Sequence, residues 1–360
     1  MSGTPAVRPL LVAAAMTMGL ANACVAAAPP VSPGASPSPT GAGSQLPSPG
    51  LETPSVPTPG DAWQGRIAVV VDGPDGSEIH VLAAGTEEPT TVIPAAESPA
   101  WSPDGGRLAY VCRYAPDQMP GLCLIDVLDS APSMAFVLPD VLSVTWSPVA
   151  DLLLIGRSPI DLGDTYLATP AGTDLAALTV AGAETRVDRW SRDGTLAAGI
   201  SAAGGAGPSL VTVCQVADLR CRAVGRGLPL AWSPDGRRVA VAGGAAPLLA
   251  LDVASGSTSV LLADGPPVVG ADWSRDGRLA VVREGGSLVI VDTPGGDPVP
   301  LGGDLRFAGQ PAWSPDSAWI AVRAEEGALS ALFVMRADGS ARARLTPSGR
   351  VTAASWDPAG

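Results

Sequence analysis

The sequence predicts an all-β fold, a seven-bladed β-propeller whose closing blade is shared between the N- and C-terminal segments. Pro and Gly supply 37 and 43 of the 360 residues, far more than long helices tolerate. From about residue 61 onward a tryptophan recurs at steps of 40 to 45 residues, and a similar turn sequence follows most of these tryptophans. Composition, period and turn together predict one repeated unit of short strands.

Each repeated unit opens on a tryptophan. The tryptophans are Trp101, Trp146, Trp190, Trp232, Trp273, Trp313 and Trp356. Five of them begin the motif Trp-Ser-Pro/Arg-Asp-Gly/Ser, whose carboxylates are Asp104, Asp193, Asp235, Asp276 and Asp316. The motif suits a type I turn, because Pro presets φ, Asp bonds to nearby amides and Gly accepts a left-handed backbone. Arg192 and Arg275 stand where the other motifs have Pro, which is favoured there but not required.

Every turn leads into an apolar stretch and further strand-like runs. In the unit of Trp232 these runs cover residues 237–242, 248–253 and 258–262. Four strands in a unit of this length are the signature of a propeller blade, whose two faces can be buried only against neighbouring blades. We expect the tryptophans to fill the contacts between blades. In the unit of Trp146, Val149 and Ala150 replace Asp-Gly, so a distorted turn is expected there.

The seventh unit is divided between the two ends of the sequence. Only a turn sequence follows Trp356, whereas residues 65–70 resemble the second strand of the other units. We expect residues 66–93 and 351–356 to form one blade, which leaves no open sheet edge in the ring.

The first 60 residues predict an exported protein. Arg8 precedes an apolar stretch over residues 9–21, which has the length of a signal-peptide core, so residues 1–23 are interpreted as a signal peptide. Two interpretations of its end stay open: an ordinary secretory site at Ala21-Asn22-Ala23, or a bacterial lipobox in which Cys24 is acylated. Residues 24–60 are rich in Pro and Ser and predict a disordered tether, and residues 61–360 form the propeller.

The five cysteines fit this division of the chain. Cys112 with Cys123 and Cys214 with Cys221 form two close pairs, and Cys24 is the odd one. In an exported protein this pattern predicts two disulfides and one lipid anchor. The predicted location is the outer face of the cytoplasmic membrane, or the medium if the chain is secreted.

The repeated Trp-Ser-Pro-Asp-Gly before an apolar strand resembles the WD-like propeller repeat of TolB and of prolyl-oligopeptidase-type proteins. The resemblance covers residues 61–360 and implies the fold. It does not imply a function, because propellers support binding, scaffolding and several unrelated enzyme activities. The sequence has neither the α/β segment that precedes the propeller in TolB nor a hydrolase domain after the repeats.

The net charge and the residue types present argue against several classes of function. A net charge of −13 argues against nucleic acid as a partner. The single histidine, His80, lies within a predicted strand at 78–82, and no Gly-x-Ser-x-Gly turn occurs, which disfavours a Ser-His-Asp enzyme. One histidine also cannot build the several-His metal site of propeller lyases. We expect no cofactor and no metal.

The motif carboxylates have two interpretations. Each can cap its own turn. Alternatively they form an acidic ring on one face of the disk, which would attract a cation or a basic partner. A second acidic loop, residues 72–78, lacks the ligand pattern of a calcium site.

These observations predict a monomeric, non-catalytic binding or scaffold module at the bacterial cell envelope, engaging a protein or peptide through one face of the propeller. The longest loops, 113–121, 156–164 and 200–208, are candidate recognition elements. The alternative is a lyase or hydrolase with a carboxylate-based site at the central channel. Carboxylates converging with an Arg within hydrogen-bond reach would favour the enzyme.

Overall fold

The computed structural model describes residues 62–359 except 75, 87, 114–118, 129–133, 158–163, 174, 203–208, 244–246, 293–295 and 348. The predicted signal peptide, Cys24 and the tether lie outside the described residues, as do parts of the three candidate loops. In the described part of the chain no helix is long and apolar enough to cross a membrane.

The described chain forms seven antiparallel sheets of four strands each, which confirms the predicted seven-bladed propeller. Blade one contains β1 (Arg66–Gly73), β2 (Gly76–Ala83), β3 (Thr91–Pro94) and the last strand, β28 (Arg350–Trp356). Blade two contains β4 (Ala96–Trp101), β5 (Arg107–Cys112), β6 (Gly121–Asp126) and β7 (Met134–Pro139). Blade three contains β8 (Val141–Trp146), β9 (Leu153–Arg157), β10 (Asp164–Ala168) and β11 (Ala176–Leu178). Blade four contains β12 (Glu184–Trp190), β13 (Leu196–Ala202), β14 (Leu210–Gln215) and β15 (Arg220–Arg226).

The remaining three blades follow in chain order. Blade five contains β16 (Leu228–Trp232), β17 (Arg238–Ala242), β18 (Leu248–Asp252) and β19 (Thr258–Leu262). Blade six contains β20 (Val268–Trp273), β21 (Leu279–Arg283), β22 (Leu288–Val291) and β23 (Val299–Leu301). Blade seven contains β24 (Arg306–Trp313), β25 (Trp319–Glu326), β26 (Leu329–Arg336) and β27 (Arg342–Arg344).

The innermost strand of every blade ends at its repeated tryptophan. These strands, β28, β4, β8, β12, β16, β20 and β24, contact one another in that order, and β24 contacts β28 again, so the ring is closed. Each inner strand has a shift of register along its length, a β-bulge of one residue in most blades and a longer irregularity in β4 and β24. All seven motif positions therefore lie at one end of the central channel.

The core is divided among the contacts between blades. The described residues form seven buried apolar clusters, and each combines side chains from two neighbouring blades. A strand such as β17 is buried on both faces, which is why Val and Ala run through it without polar alternation. No blade can bury its own faces, so the blades stabilise one another.

The closing blade joins the two predicted segments. Strand β28 pairs with β1, with Trp356 opposite Ile67 and Arg350 opposite Asp72. Arg66 binds the Asp357 carboxylate through Nε at 2.9 Å and a terminal nitrogen at 2.6 Å, and it also donates to the Gly105 carbonyl of blade two at 2.6 Å. The Asp357 side chain is only 3% exposed, so this ion pair holds the closure from within.

We expect Arg66→Ala to lower the free energy of unfolding by about 3 kcal/mol, because it leaves the buried Asp357 carboxylate without its cation. The matched control is Arg107→Ala. Both guanidinium groups lie over a tryptophan ring, at 4.8 Å from Trp101 and 5.0 Å from Trp146, but the partner of Arg107, Asp151, is 61% exposed. Denaturant unfolding of both variants measures the difference, and equal losses would show that the buried ion pair does not hold the closure.

Candidate functional site

The repeated tryptophans connect each blade to the backbone of the blade before it. In five of the seven, the indole Nε1–H donates to the carbonyl of the residue that precedes the neighbouring tryptophan. These bonds are Trp101 to Ser355 at 3.1 Å, Trp190 to Thr145 at 3.4 Å, Trp232 to Arg189 at 3.0 Å, Trp313 to Asp272 at 2.9 Å and Trp356 to Ala312 at 2.8 Å. The tryptophans therefore act as polar as well as apolar contacts between blades.

Trp146 departs from this pattern. Its side chain is as buried as that of Trp313, at 6% exposure, yet its Nε1 has no hydrogen-bond partner. The equivalent carbonyl would belong to Ala100 of blade two. Trp146 also belongs to the unit whose turn lacks Asp-Gly, where the Val149 amide donates to the Ser147 hydroxyl at a long 3.4 Å.

The motif aspartates are occupied within their own turns. In blade two, the Ser102 hydroxyl donates to Asp104 Oδ1 at 2.5 Å, and the Gly106 amide donates to the same oxygen at 3.0 Å. The same Ser-to-Asp bond occurs at Asp193, Asp235, Asp276 and Asp316. Hydrogen bonds from the serine hydroxyls hold the pKa of Asp104, Asp193 and Asp235 below its usual range. The geometry supports the turn-capping interpretation of these residues.

Arg192 and Arg275 have a role that the sequence did not suggest. Arg192 donates to the Trp273 carbonyl at 2.6 Å, and Arg275 reaches the Pro358 carbonyl at 3.5 Å. Each arginine thus spans the channel end to a blade two positions away. Pro cannot make this contact, so the replacement of Pro in these two motifs adds bonds across the channel mouth.

One carboxylate on an inner strand, that of Asp272 in β20, lies near Arg192. Asp272 accepts a hydrogen bond from the Trp313 amide at 2.9 Å, and burial raises its pKa to about 6 despite the positive charge of Arg192. Asp272 forms no ion pair within 4.0 Å among the described residues. Gln310 lies nearby and donates to the carbonyls of Leu230 and Ala271, so it joins three blades. A single carboxylate without an arginine in hydrogen-bond reach does not meet the condition set above for an enzyme.

A wide cleft opens at the opposite end of the channel. Its volume is about 940 Å³, and it is lined by the ends of second strands, the starts of third strands and the connections between blades four, five and six. Leu228, which is 50% exposed, and Pro247 and Pro267 give it an apolar wall. Arg226 and Asp264 also line it, and neither forms an ion pair within the described part of the chain.

The other candidate residues lie outside the motif end of the channel and outside the cleft. Both predicted disulfides are present: Cys112–Cys123 joins β5 to β6 in blade two, and Cys214–Cys221 joins β14 to β15 in blade four. His80 contacts Glu78 at 3.1 Å within β2, and Asp72 accepts a hydrogen bond from Ser77 at 2.7 Å. Across the residues with described positions, no cluster of three or more His, Cys, Asp or Glu side chains could hold a metal ion.

Several solved structures have a fold similar to that of this chain. TolB from Acinetobacter baumannii matches over 81% of this chain and 66% of its own, with a TM-score of 0.50 and 18% identity. The chain has a TolB-like propeller fold. An oligogalacturonate lyase in complex with manganese matches with a TM-score of 0.58 and 11% identity, over 79% of this chain and 84% of its own. A functionally unknown protein from Desulfotomaculum acetoxidans DSM 771 matches with a TM-score of 0.58 and 14% identity, over 80% of this chain and 98% of its own.

These three solved structures share the propeller architecture and have different names. This chain spans just under two thirds of the TolB chain. Neither the family models nor the curated proteins match the sequence. At identities of 11 to 18% the likeness concerns the fold.

We expect Trp313→Phe to destabilise the protein by about 1 kcal/mol, because the ring is retained while the hydrogen bond to Asp272 is lost. The matched control is Trp146→Phe, since both rings are 6% exposed and both lie under a guanidinium, at 4.9 and 5.0 Å. The control removes a donor that has no partner, so its unfolding free energy should stay unchanged or rise. If both variants lose the same stability, the indole hydrogen bond contributes nothing.

Stability should also depend on the motif aspartates in a defined pH range. Because the pKa of Asp235 is lowered in the folded state, its contribution is present above the unfolded value of about 3.9 and is lost as the pH falls through the lower folded value. We expect Asp235→Ala to cost about 1 kcal/mol near neutral pH. The difference from the wild type should shrink in urea titrations as the pH falls below the unfolded value of about 3.9. A difference that persists there would assign the effect to something other than the carboxylate.

Proposed function

We propose that this protein is a non-catalytic binding module at the cell envelope that engages a protein or peptide through the cleft between blades four, five and six. The observation that carries the proposal is the cleft itself: about 940 Å³ of open space with apolar walls and two charged side chains that have no partner in the described chain. Exposed apolar surface rimmed by unpaired charge is typical of surfaces that bind proteins.

The chemistry of the cleft suits recognition. Leu228 offers an exposed apolar side chain at the start of an inner strand, where the rigid ring holds it in place. Arg226 and Asp264 are charges of opposite sign, so they can fix the orientation of a polar chain laid between them. The guanidinium of Arg283 lies against Gly265, since a Cβ added to Gly265 would be 2.8 Å from a terminal nitrogen of Arg283. The buried Nε of Arg283 has no hydrogen-bond partner among the described residues.

The proposed location at the cell envelope is supported by the two disulfides. Two disulfides in one domain are consistent with an exported protein, because the cytosol keeps most thiols reduced. We propose in addition that residues 1–23 are removed on export and that Cys24 carries a lipid anchor. The anchor would hold the propeller as a monomer at the membrane surface through the tether of residues 24–60.

The alternative, a lyase or hydrolase at the central channel, has one observation in its favour. Asp272 has a pKa raised to about 6, which is the range that suits a general base near neutral pH. Its Oδ2 is engaged by the Trp313 amide, however, and no second carboxylate lies beside it among the described hydrogen-bond and ion-pair partners. A binding module therefore explains the cleft and its two charged side chains, whereas the enzyme would explain only the raised pKa of Asp272.

A displayed random peptide library, selected on the full chain, tests the proposal. Peptides selected on the wild type should bind Leu228→Glu at least about tenfold more weakly, since a charge would replace an apolar contact in the cleft. The matched control is Val299→Glu, which adds the same charge on the outer strand β23, where Val299 is 57% exposed. Binding to this control should be unchanged.

Two results would contradict the proposed function. In the first, the selected peptides bind Leu228→Glu as tightly as the wild type. In the second, the library yields no binder while a substrate screen detects turnover that Asp272→Asn abolishes, which would establish the enzyme instead.

A further inference from the structure

The outer strand of blade four, β15, is the longest outer strand of the described propeller. It has seven residues, whereas the outer strands of the other six blades have three to six. Among the described strands, none pairs with its outer side. The backbone N–H and C=O groups along a free edge can pair with a strand of another chain, and a longer edge offers more of them.

A disulfide fastens β15 to the rest of its sheet. Cys221 lies directly opposite Cys214 of β14, and their Cα atoms are 3.9 Å apart. So close a spacing is typical of the non-hydrogen-bonded pairs of an antiparallel ladder, in which the N–H and C=O groups point away from the partner strand. Ala223 follows two residues later in the same register, opposite Thr212. The backbone groups of Cys221 and Ala223 therefore point to the free edge.

Three arginines make this edge positive in a protein whose net charge is −13. Arg220, Arg222 and Arg226 are all exposed, and β15 contains no acidic residue. Arg222 and Arg226 form no ion pair in the part of the chain that the structure describes. Arg220 lies 3.5 Å from Asp218, but the Arg220 side chain is 86% exposed, so this pair holds it only weakly. The edge therefore attracts negative charge.

Two of these arginines share one face of the strand. Arg220 and Arg222 are two residues apart, so their side chains project to the same side. That side is turned to blade five, because Arg222 donates to the Val253 carbonyl. A pocket of about 240 Å³ lies there and is lined by both arginines, by Val213 and Val253, and by one carboxylate, that of Asp218. The pocket leaves room for acidic side chains that project from a strand added at the edge.

We propose that β15 binds an acidic, extended segment of a protein partner, which adds to blade four as a fifth strand. The backbone of this segment pairs with the free groups of Cys221 and Ala223, and acidic side chains at alternate positions lie opposite Arg220 and Arg222. The partner needs two carboxylates separated by one residue. This surface is distinct from the cleft, which β15 meets only at Arg226.

Titration of a labelled peptide with the full chain, followed by fluorescence anisotropy, tests the proposal. The probe is acetyl-Glu-Val-Glu-Val-Glu-Val-amide, which has carboxylates at alternate positions, and the control peptide has Lys in place of Glu. We expect the acidic peptide to bind saturably, with an affinity that falls as the salt concentration rises, and the lysine peptide not to bind. The proposal is overturned if the acidic peptide does not bind, or if the two peptides bind equally.

A charge reversal on β15 tests whether the peptide binds at this edge. Arg220→Glu should weaken binding of the acidic peptide at least about tenfold, because it places a carboxylate opposite those of the peptide. The matched control is Arg342→Glu, which makes the same change on β27, the outer strand of blade seven, where the partner of Arg342, Asp304, is 72% exposed. Binding to the control should be unchanged, and equal losses in the two variants would contradict the proposal.

A backbone variant tests the strand pairing itself. Ala223→Pro removes an N–H that points to the free edge and leaves the bonds between β15 and β14 in place. We expect it to weaken peptide binding at least about tenfold, whereas Ala223→Val, which keeps the N–H, should bind as the wild type does. Circular dichroism checks that both variants are folded, and Arg220→Glu tests the same edge without a backbone change. Unchanged binding to folded Ala223→Pro would show charge attraction without strand addition and would overturn the proposal.

Discussion

The hydrogen bond from a tryptophan indole to the backbone of the preceding blade is the contact on which the ring depends. Each blade is a four-stranded sheet with two apolar faces, and the seven buried clusters lie between blades rather than within them. Apolar contact alone would allow blades to slide against one another, because it has no direction. The indole bond at the inner edge gives five of the seven contacts a fixed register, and guanidinium groups lie over the rings of Trp101, Trp146 and Trp313.

Much of this architecture could be predicted from the sequence. The tryptophan period predicted the blades, the Ser-Pro-Asp-Gly turn predicted the backbone-amide bonds that Asp104 and its equivalents accept, and the cysteine spacing predicted both disulfides. The serine hydroxyl bonds to the same carboxylates were not predicted. These features are local or repeated, so each unit supports the interpretation of the next. The pairing of β28 with β1 could be expected as well, because a ring of repeats requires its ends to meet.

The two regions of functional interest could not be found in this way, because they arise where the repeat breaks. Arg192 bonds to a carbonyl 81 residues further along the chain, and nothing in the motif around it indicates that partner. Trp146 has an indole donor without a partner, and the inner strand of the preceding blade is irregular at Ser98 and Pro99. The cleft combines loops of three blades whose sequences share no motif. The two ends of the channel consequently differ in chemistry, with arginine bonds across one mouth and an open, partly apolar cleft at the other.

Hydrogen exchange of the indole N–H groups in the native protein tests the central claim most directly. If the indole bonds hold the ring as one unit, the indoles of Trp101, Trp190, Trp232, Trp313 and Trp356 exchange only when the whole propeller opens. Their opening free energies should then agree with one another and with the global unfolding free energy. Five different values, or exchange near the rate of an unprotected indole, would show that the blades open separately and that these bonds do not hold the ring together.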